Sequence, residues 1–232
     1  YEEGDLIKRS LRDVYNREIE EVIVDGELAY KTARSLMRTM MPSHAKRVKK
    51  HTDLNTPLFN LHKIESQLDE IYDPIVRLRS GGYIVINPTE ALVAIDVNSG
   101  RATRERNVEQ TARRTNLEAA DEVARQLRLR DLAGLVVIDF IDMEEGRNIT
   151  AVERRMKEAM KIDRARIQIG RISTLGLLEL SRQRLRPSIH EASAQICVRC
   201  GGSGYVRSTE STALRVIRAI EEEGAKSRSK SV

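Results

Sequence analysis

Apolar positions along the 232-residue chain change period several times, and the changes outline its elements. Tyr83-Ile84-Val85-Ile86 reads as a strand, Asn87-Pro88-Thr89 as a turn and 91–97 as a second strand, so a hairpin is expected. Asn98-Ser99-Gly100 closes it. From 107 to 129, Val108, Thr111, Ala112, Thr115, Ala119, Ala120, Val123, Ala124 and Leu127 keep helical spacing, which predicts a long amphipathic helix. Leu135-Val136-Val137-Ile138-Asp139-Phe140-Ile141 is a continuous apolar run with β-branched residues, as expected of a central strand buried on both faces. A helix over 149–162 and a strand over 166–169 follow. Upstream, the pattern predicts a short strand at Val22-Ile23-Val24 before the Asp25-Gly26 turn, and a helix over 28–40 that Met41-Pro42-Ser43 breaks. The basic stretch Lys46, Arg47, Lys49, Lys50, His51 reads as a solvated face. After Glu191 the pattern gives way to a Cys and Gly segment, then a helix over 210–223 and a Ser/Lys/Arg tail that looks like the start of a linker. Alternating strands and helices imply an α/β (α+β) fold in which helices pack on a sheet.

Composition narrows the class. Hydrophobic residues make up 40% and charged residues 32%, an ordinary globular balance that excludes disorder, and the length fits one large or two small domains. A net charge of +5 and a pI near 9.3 describe a mixed surface with a basic bias, which favours partners that carry phosphates. Aromatic residues are only 3%, with no Trp, so nucleic-acid binding would lean on Arg and Lys rather than on extensive base stacking. No apolar run approaches the roughly 18 residues of a membrane span, and no leader opens the chain, so a cytoplasmic protein is expected. The first residue is Tyr rather than Met, and a piece of a longer chain is expected.

Asp96 and Asp139 each sit at or near the end of an apolar strand pattern, where a carboxylate is commonly paired, hydrogen-bonded, protonated or bound to a metal. Should the two strands be neighbours, both acids converge on one place, and two carboxylates with several waters suit Mg²⁺. Asn98 falls on the same face as Asp96 if the strand continues, and Asp142 is a candidate partner that orients the ligands from outside. Taken singly, each Asp also fits an ordinary turn or salt bridge. Cys197-Val198-Arg199-Cys200-Gly201-Gly202-Ser203-Gly204 has the spacing of half a tetrahedral zinc site, with glycines that let the backbone wrap an ion. These are the only cysteines, so the remaining ligands must be histidines or thiols of a second copy, and two chains sharing one Zn²⁺ is the simpler solution. A redox pair or a disulfide is the competing reading, but a Gly-rich loop follows the pair where a redox motif would open a helix. Arg101, Arg104, Arg106, Arg113, Arg114, Arg164, Arg166 and Arg171 cluster around the candidate site in sequence, and Arg101, Arg104 and Arg166 are taken as candidate phosphate contacts. Salt bridges with the many glutamates account equally well for most of them.

Ala94-Ile95-Asp96-Val97-Asn98-Ser99-Gly100-Arg101, Thr115-Asn116-Leu117-Glu118-Ala119-Ala120-Asp121-Glu122, Val137-Ile138-Asp139-Phe140-Ile141-Asp142-Met143 and the Cys197 to Gly204 loop together resemble the ribonuclease E/G family, and the C-terminal helix Glu210 to Glu223 resembles its E branch more than its G branch. The resemblance covers nearly the whole chain and departs from the family pattern at Val198, where the family has Pro. It implies that 1–72 is part of a ribonuclease-H-like subdomain and 73–192 a DNase-I-like catalytic subdomain. Segment 193–206 would be the zinc link between protomers, and 207–232 the start of a small C-terminal domain. The family's S1 domain and 5′-monophosphate pocket would precede this chain.

The resemblance also implies Mg²⁺ held by Asp96 and Asp139, with Asn98 as the adjacent polar group, and Zn²⁺ held by Cys197 and Cys200 of two copies. The expected activity is Mg²⁺-dependent cleavage of single-stranded RNA in RNA processing and mRNA decay, leaving 5′-phosphate and 3′-hydroxyl ends. The expected assembly is a zinc-linked dimer, paired into a tetramer, with RNA-degradation partners and any hold on the inner face of the cell membrane assigned to regions outside this chain. Two rivals stay open at this point: a catalytically silent, zinc-dimerised RNA-binding scaffold, and a zinc-containing chaperone-like module.

Overall fold

A computed structural model of the chain describes residues 6–53, 55–100 and 108–226. The chain divides into two compact units, Tyr1–Asp73 and Pro74–Val232. In the first, the elements in order are α1 (Leu6–Val14), β1 (Val22–Val24), α2 (Glu27–Met40), a 3₁₀ turn (Pro42–Arg47), β2 (Val48–Lys50), α3 (Leu58–Leu61) and α4 (Ile64–Glu70). β1 and β2 pair in parallel. Leu11, Val24, Ala33, Met37, Ala45 and Val48 close a small core under α1 and α2. The basic stretch divides between the 3₁₀ turn and β2, where Val48 is buried and the exposed Lys49 and Lys50 pair with Glu21 and Glu27. That is the solvated face expected of it.

The second unit contains β3 (Ile75–Arg77), β4 (Tyr83–Pro88), β5 (Val93–Asn98), α5 (Val108–Leu129), β6 (Gly134–Asp139), α6 (Gly146–Met160), β7 (Ile167–Ile172), β8 (Leu177–Arg182), α7 (Ile189–Ser193) and α8 (Thr209–Ala225). Its strands form one mixed sheet in the order β3-β4-β5-β6-β8-β7. β5 and β6 are parallel and connect through α5; the other neighbours are antiparallel. The hairpin and the helical spacing of the sequence therefore hold, whereas β8, which inserts between β6 and β7, had no counterpart in the pattern.

Side-chain alternation decides which face of the sheet is covered. Ile84, Ile86, Val93, Ile95, Val97, Val136, Ile138, Leu178 and Leu180 point to one face and pack against α5 and α6. Ala119, Ala120 and Ala124 put small side chains on the buried stripe of α5, so its axis can lie close to the sheet. β6 is central as expected, yet it is buried on one face only, because Leu135 is 46% exposed and Asp139 is exposed. Among the described residues the helices α5 and α6 cover one face of the sheet, so an apolar run need not mean two buried faces.

One buried ion pair ties the far end of the sheet. The side chains of Arg182 and Asp163 are each 3% exposed; Nε of Arg182 donates to Asp163 at 2.8 Å and Nη1 donates to the Leu132 carbonyl at 2.9 Å. Burial alone would raise the Asp163 pKa, but the Arg182 hydrogen bond, the Ala165 N–H and the neighbouring guanidinium charges hold it below the ordinary carboxylate range. Removing one partner leaves the other buried without compensation, so Arg182→Met is expected to lower stability by about 3–5 kcal/mol in chemical unfolding at neutral pH. Because the folded pKa is depressed, the stabilisation is complete above about pH 4 and is lost as pH falls through the lowered value. The gap between wild type and Arg182→Met should therefore narrow in acid.

Candidate functional site

Asp96 and Asp139 are Cα partners across the parallel β5–β6 pair, and adjacent strands run about 4.8 Å apart. Both side chains lie on the face turned away from α5 and α6, since Ile95, Val97 and Ile138 occupy the other. Both are exposed, which corrects the picture of carboxylates buried at strand ends: among the described residues no helix of this unit covers the second face of the sheet. Partial burial and the nearby negative charges of Asp96 and Asp142 nevertheless push the Asp139 carboxyl above its usual pKa. Asn98 belongs to the same face. Its Nδ2 donates to Asp96 Oδ2 at 2.8 Å and thereby orients that carboxylate.

Among the described residues no group of three or more His, Cys, Asp or Glu is arranged to hold a metal. A cation at the β5–β6 end would rest on two carboxylates and fill its sphere with water, which suits Mg²⁺. The donor set fits in a second respect: burial and the like charges of Asp96 and Asp142 raise the Asp139 pKa, and a divalent ion would relieve that repulsion.

Three contacts fix the segments that carry these groups, and none was foreseen from the sequence. Asn116, fully buried on α5, donates to the Ile141 carbonyl at 2.8 Å and accepts from the Ile141 N–H at 3.1 Å. This two-point clamp immobilises the backbone between Asp139 and Asp142. On α5 as well, Thr115 presses on Gly82, where an added Cβ would lie 2.9 Å from Thr115 Cγ2 and 2.6 Å from the Asn98 carbonyl, so only glycine admits this approach of the Ser80 to Gly82 loop to β5. The third contact is the β7–β8 turn, in which the Gly176 carbonyl accepts from the Phe140 N–H at 3.3 Å and Gly176 has φ +78°. A Cβ there would meet Asp142 Oδ1 at 3.2 Å, so the turn sits against the acidic cluster. An Asn on the otherwise apolar stripe of a helix was the available signal for the first of these.

Replacing Asn116 with Ala strands both backbone groups of Ile141. The variant is expected to lose about 1–3 kcal/mol of stability and to weaken divalent-cation binding by about tenfold or more through the displaced Asp139. Chemical unfolding and calorimetric titration measure the two effects separately.

The arginines divide differently from their order in sequence. Arg101, Arg104 and Arg106 lie outside the described residues. Arg166 is exposed, one residue before β7, and the pairing Ile167↔Arg182↔Gly134 places it at the opposite end of the sheet from Asp139. Five residues of strand separate those levels, about 17 Å. Proximity in sequence to Asp139 does not bring Arg166 to the carboxylates, because β7 runs the length of the sheet between them.

Cys197 and Cys200 are free thiols, the first exposed and the second half-buried. The turn between them is closed by Gly201 N–H donating to the Cys197 carbonyl at 2.8 Å. Backbone N–H groups of Cys200 and Arg199, together with the Cys200 side chain, hold the Cys197 thiol below its usual pKa. That favours the thiolate, the form a zinc ion takes, so the pair fits half of a zinc site. Two of the remote histidines are engaged elsewhere: His44 Nδ1 with the Tyr15 hydroxyl at 2.8 Å, and His51 Nε2 with the Thr56 carbonyl at 2.9 Å.

Comparison with known proteins is consistent along the chain. A family model described as "Ribonuclease E/G family" matches residues 1–185, and one described as "RNase E/G, Thioredoxin-like domain" matches residues 196–232. The chain is 51% identical over 232 residues to "Ribonuclease E" of Haemophilus influenzae, covering 100% of this chain and 25% of that protein. It is 50% identical over 233 residues to "Ribonuclease E" of Escherichia coli, covering 100% of this chain and 22% of that protein. "Ribonuclease G" of Escherichia coli is 34% identical over 220 residues, covering 95% of this chain and 45% of that protein. The chain spans about a quarter of the length of the ribonuclease E sequences that it matches.

Proposed function

Since the chain belongs to the ribonuclease E/G family, we propose that it carries the catalytic centre of an endoribonuclease that hydrolyses single-stranded RNA and leaves 5′-phosphate and 3′-hydroxyl ends. One observation supports this most: Asp96 and Asp139, 43 residues apart in sequence, stand side by side at the ends of parallel strands, with Asn98 bonded to Asp96. Bound there, Mg²⁺ would supply Lewis-acid polarisation of the scissile phosphate. Asp96 and Asp139 hold the cation, and Asn98 keeps the Asp96 carboxylate turned toward it. The clamp of Asn116 on Ile141 keeps Asp139 in place, and the β7–β8 turn walls the acidic cluster on the β8 side.

Cys197 and Cys200 take no part in bond cleavage under this reading. They bind one Zn²⁺ together with the same pair of a second chain, and such dimers pair into a tetramer. Asp73 to Ala192 is read as the catalytic subdomain, with Asp142 as an outer partner of Asp139 and Arg101 and Arg104 as phosphate contacts. The work belongs to the cytoplasm, in the processing and decay of cellular RNA.

A cleavage assay on single-stranded RNA, with and without Mg²⁺, tests the reading. Mg²⁺-dependent internal cuts with 5′-phosphate ends are expected. Steeply salt-dependent RNA binding without cleavage would instead favour the silent scaffold.

A further inference from the structure

Tyr83 is one of only three aromatic residues after Asp73; Phe140 is buried in the core and Tyr205 lies in the Cys loop. Strand register brings Tyr83 to the candidate site. β4 pairs with β5 so that Tyr83 faces Asn98 and Val85 faces Asp96, and β3 pairs with β4 so that Arg77 faces Tyr83. Ile84 and Ile86 fill the core under α5, whereas Tyr83 and Val85 are half-exposed; Val76 and Leu78 likewise turn inward, whereas Arg77 is exposed. Alternation therefore sets Arg77, Tyr83 and Asn98 as one row on the open face of the sheet, beside the row Val85, Asp96 and Asp139. Directly opposed residues of antiparallel strands have Cβ atoms about 4.5–5.5 Å apart, so the tyrosine ring borders Asn98.

We propose that Tyr83 and Arg77 form a nucleotide subsite next to the carboxylate pair. The Tyr83 ring stacks on the base of a nucleotide adjoining the scissile phosphate, and the Arg77 guanidinium pairs with the phosphate beyond it. An aromatic face accepts any base, so the subsite holds the strand without selecting its sequence. The planar fork of Arg matches a phosphate in two hydrogen bonds. The row leads from Asn98 toward the β3 edge, which gives the bound strand a direction across the sheet. This inference rests on the nuclease reading for its substrate, but it has its own measurement.

The test uses the zinc-loaded protein and a fluorescent single-stranded RNA, either intact or carrying one abasic position moved stepwise across the cleavage site. Affinity is read by anisotropy with divalent cations chelated other than the bound zinc, and KM and kcat are read separately with Mg²⁺. Tyr83→Leu keeps an apolar contact between strands but loses the ring, and should weaken affinity and raise KM by about tenfold, with kcat little changed. Tyr83→Phe should behave as wild type. At one abasic position, wild type should lose about as much affinity as Tyr83→Leu loses on intact RNA, and Tyr83→Leu should lose nothing further there. Arg77→Gln should reduce the slope of log affinity against log salt by about 0.7, one phosphate contact on a single strand. Wild-type affinity for RNA in Tyr83→Leu, equal losses in Tyr83→Leu and Tyr83→Phe, or no sensitive abasic position would overturn the subsite. RNA bound with the expected abasic pattern but never cut would leave the subsite standing and remove the nuclease reading; RNA cut by Tyr83→Leu with the wild-type KM would do the reverse.

Discussion

Asp139→Asn and Asp96→Asn are each expected to slow RNA cleavage about a thousandfold while the fold persists. Asn has nearly the same shape as Asp, and both positions are exposed, so no cavity opens and no core contact is lost. Stability should hold or rise slightly at position 139, because burial and the Asp96 and Asp142 charges already oppose ionisation there. The loss lies in the metal. A divalent ion contributes several kcal/mol to a phosphoryl transition state, and each 1.36 kcal/mol is a factor of about ten in rate. Because the two carboxylates act as one ligand set, the double variant should be little worse than either single variant. Single-turnover cleavage of a labelled RNA under saturating enzyme measures this directly, and a residual rate within tenfold of wild type would mean that the carboxylates do not serve the chemistry.

The second large effect is on assembly. Cys197→Ser with Cys200→Ser replaces both soft thiol donors of the chain by hydroxyls that zinc does not favour. Structural zinc sites bind with an apparent free energy on the order of 10–16 kcal/mol, at least as large as the stability of an ordinary single domain, about 5–15 kcal/mol. The wild-type protein should hold one zinc per two chains and weigh as a dimer or larger, whereas the double variant should hold none and lose that association. Native mass spectrometry reports both quantities in one experiment. One zinc per single chain would place the missing ligands within the chain. His44 and His51 are poorly placed for that, since the Tyr15 hydroxyl and the Thr56 carbonyl already engage them. His190 is half-buried, with burial and the Arg130 charge lowering its pKa.

Much of this arrangement was legible in the chain because its physics is local. The period-two patterns around Ile84 and Ile95 and the period of 3.6 through α5 each depend on near neighbours in sequence, and the structure follows them. The pairing of Asp96 with Asp139 needed one further step, that β5 and β6 be adjacent, and a β-α-β passage with a helix of 22 residues makes that the natural outcome. What escaped depends on contacts that local pattern does not encode. β8 inserts between β6 and β7 through a tight turn at Gly176, and this displaced β7 and Arg166 from the position that sequence order implied. Arg182 and Asp163 lie 19 residues apart, and only the fold brings their side chains together in a buried pair. Asn116 lies beside the helical stripe of α5; a polar side chain buried there must find partners, and the backbone of Ile141 supplies both.

If Asp96 and Asp139 share one cation, a titration with Mn²⁺ followed by electron paramagnetic resonance measures it without reference to activity. On zinc-loaded protein, one Mn²⁺ per chain should bind in competition with Mg²⁺, and the site should disappear in both Asp96→Asn and Asp139→Asn while the zinc content stays unchanged. Undiminished Mn²⁺ binding in the two variants would contradict the account.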